Sequence, residues 1–252
     1  MNGNLRALVL LAAGLSLGCS AAQAPAKPGS TYVIVHGAWG GGWDWRAMDS
    51  LLTAQGNRVH RVTLTGLGER VHLASRDIGL TTHINDVVNS ITWEGLKDVV
   101  LVGHSYGGMV ITGTADRIPD RIRALIYIDA FLPESSESVL HLTGDQGATF
   151  FSANTKDGLI VPPWVTAEMP IPKDVPHPLK TFADTLKLAN AAARNIKGSY
   201  ILTIEKGATR DDFSLHADRA KARGWPVHQL TADHVPERSA RAELLQLLLQ
   251  VP

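Results

Sequence analysis

Val99-Val100-Leu101-Val102-Gly103-His104-Ser105-Tyr106-Gly107-Gly108 decides how the rest of this chain is read. The first four residues are apolar at successive positions. A strand built this way must be covered on both faces, as in a parallel sheet held between helix layers. The next five spell G-x-S-x-G, and a helical pattern follows over residues 106–117. A turn that tight between a buried strand and a helix leaves no room for side chains at Gly103 and Gly107. It presents the Ser105 hydroxyl above the sheet, with the positive end of the next helix beneath it. Ser105 is therefore the candidate nucleophile.

The same alternation extends in both directions. Apolar, β-rich runs occur at 32–36, 58–63, 99–103, 124–128, 200–204 and 227–230, and helical patterns at 45–54, 83–92, 106–117, 212–223 and 237–250. Strand and helix in alternation predict a doubly wound α/β domain over residues 31–252 with a mostly parallel sheet. One stretch interrupts it. Residues 133–181 hold seven of the thirteen prolines, after which a helix resumes over 182–195. A segment of that length inside a compact domain reads as an inserted lid, about 133–195. Phe150, Phe151, Trp164 and Met169 within it are candidate substrate-binding residues, because apolar side chains in a lid need something to cover.

Composition narrows the function. The 252 residues carry 24 Lys+Arg against 24 Asp+Glu, for a formal net charge of zero. That balance lacks the basic surplus a nucleic-acid partner requires. Residues 1–24 read as a signal peptide, with Arg6 as the sole charge, an apolar run at 7–17 and the small-x-small site Ala22-Gln23-Ala24. Cleavage after Ala22 or Ala26 fits as well, because Pro25 would adjoin the central site. A Pro/Gly/Lys linker covers 25–30. The apolar run is too short to span a bilayer. A competing reading takes Leu15-Ser16-Leu17-Gly18-Cys19 as a bacterial lipoprotein signal that leaves a lipid anchor on Cys19. Export to the periplasm or the outside follows either way, and the mass of the mature N-terminus separates the two. Cys19 is the one cysteine, so soluble export leaves a chain without thiols and excludes disulfides and cysteine nucleophiles.

Val35-His36-Gly37-Ala38-Trp39, the elbow around Ser105, Ala130-Phe131-Leu132-Pro133 and Asp233-His234 together resemble the α/β-hydrolase superfamily. They are most similar to its branch of plant methyl esterases, salicylate-binding esterases and hydroxynitrile lyases with their bacterial esterase relatives. The resemblance spans essentially residues 32–252 and implies the α/β-hydrolase fold with an inserted lid. It also implies an oxyanion hole from the backbone N–H groups of Ala38 and Tyr106. His234 is the candidate base, since it follows the last strand-like run and completes the chain order Ser, acid, His. The acid departs from the branch pattern. The plant-type relatives carry an Asp after the strand that corresponds to 200–204, where this chain reads Thr203-Ile204-Glu205-Lys206-Gly207-Ala208. We assign Asp129, which ends the run 124–128 as the acid does in some haloalkane dehalogenases. Glu205 and then Asp212 are the alternatives. Asp211 and Asp212 read better as caps of the helix that starts near Phe213.

These residues imply a serine hydrolase that cleaves small carboxylic esters through an acyl-serine, with no metal and no cofactor. Two rivals stand beside it. Lyases of the branch have Thr where this chain has Gly37 and Lys where it has Val235, so a hydroxynitrile lyase is disfavoured. A non-catalytic ligand-binding cup predicts that Ser105 or His234 has been lost, and both are present. Substrate identity and oligomeric state are not legible.

Overall fold

The computed structural model describes residues 29–250. The signal segment, its cleavage sites and Cys19 lie outside the described residues. Six strands form one parallel sheet in the order β2-β1-β3-β4-β8-β9. They are β1 (Thr31–Val35), β2 (Arg58–Val62), β3 (Val99–His104), β4 (Ile122–Ile128), β8 (Lys197–Ile204) and β9 (Val227–Thr231). Each corresponds to one of the apolar runs in the sequence. The chain leaves β1 for β2 on one side and returns to β3 on the other. The crevice above the carboxyl ends of β1 and β3 is thus the switch point where open α/β sheets bind ligands.

The two-residue period of the strands sorts their side chains into two cores. Val33, Val35, Leu101, Leu125 and Tyr127 join one, with the helices α2 (Leu80–Trp93), α3 (Gly107–Arg117) and α6 (Ser214–Ala222). Tyr32, Ile34, Val100, Val102, Ile126 and Ile128 join the other, beneath α1 (Arg46–Ala54) and α8 (Arg241–Leu249). Burial on both faces is what the unbroken apolar run at 99–102 demands. The predicted final helix is divided into α7 (Pro236–Ser239) and α8 by Ala240, whose φ of −138° and ψ of 47° lie outside the helical region. The break lets Leu244, Leu245 and Leu248 reach the second core while Glu237 is buried beside His104, the last residue of β3.

The segment 133–195 is more ordered than its prolines suggest. It contains α4 (Val139–Asn154), a small antiparallel sheet of β5 (Thr155–Lys156), β6 (Leu159–Ile160) and β7 (His177–Pro178), and α5 (Lys180–Ala183). Ser138 caps α4 by accepting the N–H of His141, and Gly144 at φ 59° breaks it internally. The helix predicted over 182–195 does not form as one element: Phe182 and Ala183 end α5, and only Ala191–Asn195 turns again, as a 3₁₀ helix. After α5 the chain turns extended at Asp184 and makes its hydrogen bonds outward, with Leu186 donating to the Glu137 carbonyl and Ser136 to that of Leu186. The N–H groups of Ala189 and Asn190 are taken by the Asp116 carboxylate on α3. Tertiary partners have replaced the i to i−4 bonds on which the helical pattern depended. Among the described residues no helix is long and apolar enough to cross a membrane.

Candidate active site

Ser105 sits in the turn between β3 and α3 with φ at 52°. That left-handed conformation is unfavourable for a residue with a side chain, so the surroundings must enforce it. Ser105 N–H donates to the Ile128 carbonyl at 3.2 Å, and its own carbonyl accepts from Gly108 N–H at 3.0 Å and Phe131 N–H at 3.1 Å. The glycines make the approach possible. A Cβ on Gly103 would lie 2.8 Å from the Gly107 carbonyl oxygen, one on Gly107 2.6 Å from that of Val35, and one on Gly108 2.0 Å from that of Phe131.

His234 reaches this hydroxyl from the loop after β9. The loop is held by Asp233, whose carboxylate accepts the Val235 N–H and the Ser239 hydroxyl. Nε2 of His234 lies 3.0 Å from Ser105 Oγ, and Nδ1 lies 2.6 Å from Asp129 Oδ2. Asp129 is fully buried and follows β4 with φ at 42°. Its other oxygen accepts the Thr203 N–H at 3.1 Å, and its own N–H donates to Ile201. Hence the carboxylate has a single orientation, and Nδ1 of His234 must carry its proton toward it. Of the four acids weighed in the sequence, only Asp129 touches the imidazole. Glu205, Asp211 and Asp212 stand around the mouth of the same cleft. Asp211 behaves as a turn cap, accepting the Phe213 N–H at 2.8 Å, and burial raises its carboxyl above the usual carboxylate range.

The turn after β1 faces this group. His36 is buried; its Nε2 accepts the Leu64 N–H and its Nδ1 donates to the Gly37 carbonyl at 2.7 Å, which fixes the peptide leading to Ala38. Among the described residues neither Ala38 N–H nor Tyr106 N–H has a protein acceptor. Both are available to an oxyanion above Ser105. An imidazole that accepts from a serine, is oriented by a buried carboxylate and stands beside two free N–H donors can perform acyl transfer.

The sequence profile of the alpha/beta hydrolase family matches residues 32–247, which is most of the chain. The chain belongs to the alpha/beta hydrolase family. It is 53% identical to the carbendazim hydrolyzing esterase of Nocardioides sp. (strain SG-4G) over 113 residues, which is 45% of this chain and 47% of that protein. It is 33% identical to methylesterase 2 of Arabidopsis thaliana over 109 residues, 42% and 41% of the two chains. The match thus spans less than half the length of these curated relatives. Among solved structures, an extracellular alpha/beta-hydrolase from a Paenibacillus species superposes with a TM-score of 0.75 at 21% identity, covering 88% of this chain and 98% of that one.

In this α/β hydrolase the cleft above Ser105 has a volume of about 420 Å³, large enough for a modest organic molecule. Phe131, Val139, Phe151, Phe182 and Phe213 make its apolar wall. Of the four lid residues singled out as substrate-binding, Phe151 alone lines it. Phe150 and Trp164 pack instead on Trp39, at ring separations of 6.3 and 5.1 Å. Trp164 also donates from Nε1 to Asp174, and Met169 is exposed away from the cleft. The lid aromatics cover Trp39 because that ring projects from the oxyanion turn at φ 62° and has to be buried by something. The lid also bonds Trp39 directly: its N–H donates to His177 Nδ1 and its Nε1–H to the Ile160 carbonyl, and its own carbonyl accepts the Val175 N–H.

Three contributors went unread in the sequence. Phe213 stacks on the His234 ring at 5.0 Å and 8°. The Tyr200 hydroxyl donates to the Ala130 carbonyl and accepts its N–H, fixing the turn that carries Asp129. The apolar wall from Phe131 was visible only as part of Ala130-Phe131-Leu132-Pro133.

Proposed function

We propose that this chain is a serine hydrolase acting on small carboxylic esters. The observation that carries the reading is the unbroken line of hydrogen bonds from Ser105 Oγ through His234 to the buried Asp129, at the floor of an apolar cleft. Ser105 Oγ attacks the ester carbonyl carbon while its proton passes to His234 Nε2. The carbonyl oxygen, now negative, is held by the N–H groups of Ala38 and Tyr106. Collapse expels the alcohol, which takes the proton from Nε2 and leaves an acyl-serine. Water then attacks that ester with His234 again as base, releasing the acid and restoring Ser105. Asp129 holds the imidazole in the productive tautomer and stabilises the imidazolium. The esterase names of the relatives support the choice of ester over other acyl groups. The apolar wall supports an acyl or aromatic group of modest size.

Hydrolysis of p-nitrophenyl butyrate, with carbendazim as a second substrate, tests this reading. The wild-type chain is expected to turn over at least one of them, and Ser105→Ala is expected to reduce the rate by about 10⁵-fold or more. A rate that survives Ser105→Ala removes the proposal.

A further inference from the structure

Glu237 is a buried carboxylic acid without a partner, three residues beyond the proposed base. It is 1% exposed, and neither side-chain oxygen has a hydrogen-bond partner among the described residues. Burying such a group costs free energy unless something compensates, so its placement calls for a reason. The ring of His104 stands beside it, with Nδ1 3.7 Å from Oε1. A movement of about 1 Å by the carboxyl brings the two within hydrogen-bond range.

His104 in turn touches three segments of the site. Its Nε2 lies 2.7 Å from the carbonyl oxygen of His234. A carbonyl only accepts, so Nε2 carries a proton, and a neutral ring then leaves the Nδ1 lone pair facing Glu237. The ring lies 4.9 Å from that of His234 and 6.0 Å from that of Trp45. A Cβ on Gly37 would come within 2.9 Å of its Nδ1. His104 therefore sits next to Ser105 in the chain, beneath the turn that leads to Ala38, and against the backbone of the base.

We propose that Glu237 and His104 are positioning residues that share one proton, and that this proton holds the His234 loop and the Gly37-Ala38 turn in register. This rests on the esterase reading above. With the proton present, the Glu237 O–H donates to Nδ1 and Nε2–H donates to the His234 carbonyl. Losing the proton to solvent base breaks only the O–H bond and leaves a carboxylate facing a lone pair, and the contact opens.

The surroundings favour the neutral pair. Asp44, from the turn before α1, faces Glu237 and is itself bound by Arg238 at 2.6 Å, and Asp233 lies on Glu237's own segment. Burial, reinforced by Asp44 and opposed by Glu237's own backbone N–H and then by Arg238, pushes the Glu237 carboxyl up to about 8. Burial and then the charge on His234 hold the His104 ring well below its ordinary range, with His36 and Arg238 acting in the same direction.

The pH profile of kcat for p-nitrophenyl butyrate tests the proposal, with the Ser105→Ala rate subtracted at each pH. The wild type is expected to lose kcat as pH rises past about 8, with KM moving less than about twofold. Glu237→Ala is expected to lower kcat by about tenfold across the range. Glu237→Gln, whose amide donates to Nδ1 at every pH, is expected to recover most of that loss and to lack the alkaline fall. A Glu237→Gln variant that keeps the wild-type fall overturns the proposal, as does a wild type without one. The ¹⁵N resonances of the His104 ring give a second reading that needs no turnover. Nδ1 is expected to shift with an alkaline transition in the wild type and to stay flat in Glu237→Gln, and a flat wild-type resonance overturns the pairing. Absent ester turnover with the NMR transition intact would instead count against the esterase reading alone.

Discussion

Ser105, Asp129 and Trp39 all hold positive φ, at 52°, 42° and 62°, and each stands just beyond the carboxyl end of a different strand. A side chain in that region costs about 1 to 2 kcal/mol, so three such residues at one crevice mark where the fold has been bent to aim groups at a common point. Asp129 shows what the bend achieves. Its turn is fixed by Tyr200 and Thr203 on the neighbouring β8, and the carboxylate meets an imidazole 105 positions further along the chain. Asp129→Asn keeps the shape but favours the wrong tautomer of His234. It is expected to lower kcat by about 10⁴-fold while circular dichroism stays that of the wild type. Near-normal turnover in that variant would hand the role to Glu205. In the sequence Asp129 and Glu205 both stand at strand ends, with Asp212 further on at the start of a helix. What separates them is sheet order, because the loop after β9 reaches across β8 to the end of β4.

The junction of β3, α3 and the end of β4 is the element on which the nucleophile depends. Gly108 lies in the first turn of α3 directly beneath the Phe131 carbonyl, which leaves no space for a methyl group. Gly108→Ala must push α3 away from that strand end, and with it Ser105 and the N–H of Tyr106. We expect a loss of about 1 to 3 kcal/mol in stability by urea denaturation, together with a kcat loss larger than the stability loss explains. Wild-type stability and rate in this variant would show that the junction is looser than its contacts indicate. The sequence announces this element clearly, because G-x-S-x-G beside a buried run has few structural solutions. The lid is the opposite case. Its α4 is broken by a glycine, and its extended stretch after α5 bonds to Glu137 and Asp116. Local periodicity carries no record of partners that lie far away in the chain.

Across the molecule, burial has produced an unusual set of neutral histidines. His36, His83, His104, His177 and His216 are all buried, and desolvation lowers each below the ordinary value near 6.5, His83 and His216 to about 4. The unfolded chain takes up protons at these sites as pH falls through 6.5, and the folded chain does so only lower. Stability is therefore full above that value and lost as pH falls toward 4. Glu237 has the opposite sign, its contribution being lost as pH rises from 4.5 to about 8. Five groups outweigh one on the acid side. The thermal midpoint is expected to drop by about 10 °C between neutral pH and about pH 4.5, and an unchanged midpoint by calorimetry would show that these imidazoles are hydrated. None of this is visible as composition, since a histidine reads the same whether buried or exposed. The chain alone specifies the strand and helix alternation, the elbow and the two loops flanking it, because those are local patterns of burial and backbone permissiveness. Which carboxylate orients His234, what the lid aromatics cover and why Glu237 is buried follow from the folded chain. Each depends on residues far apart in sequence that meet only when the sheet sets their order.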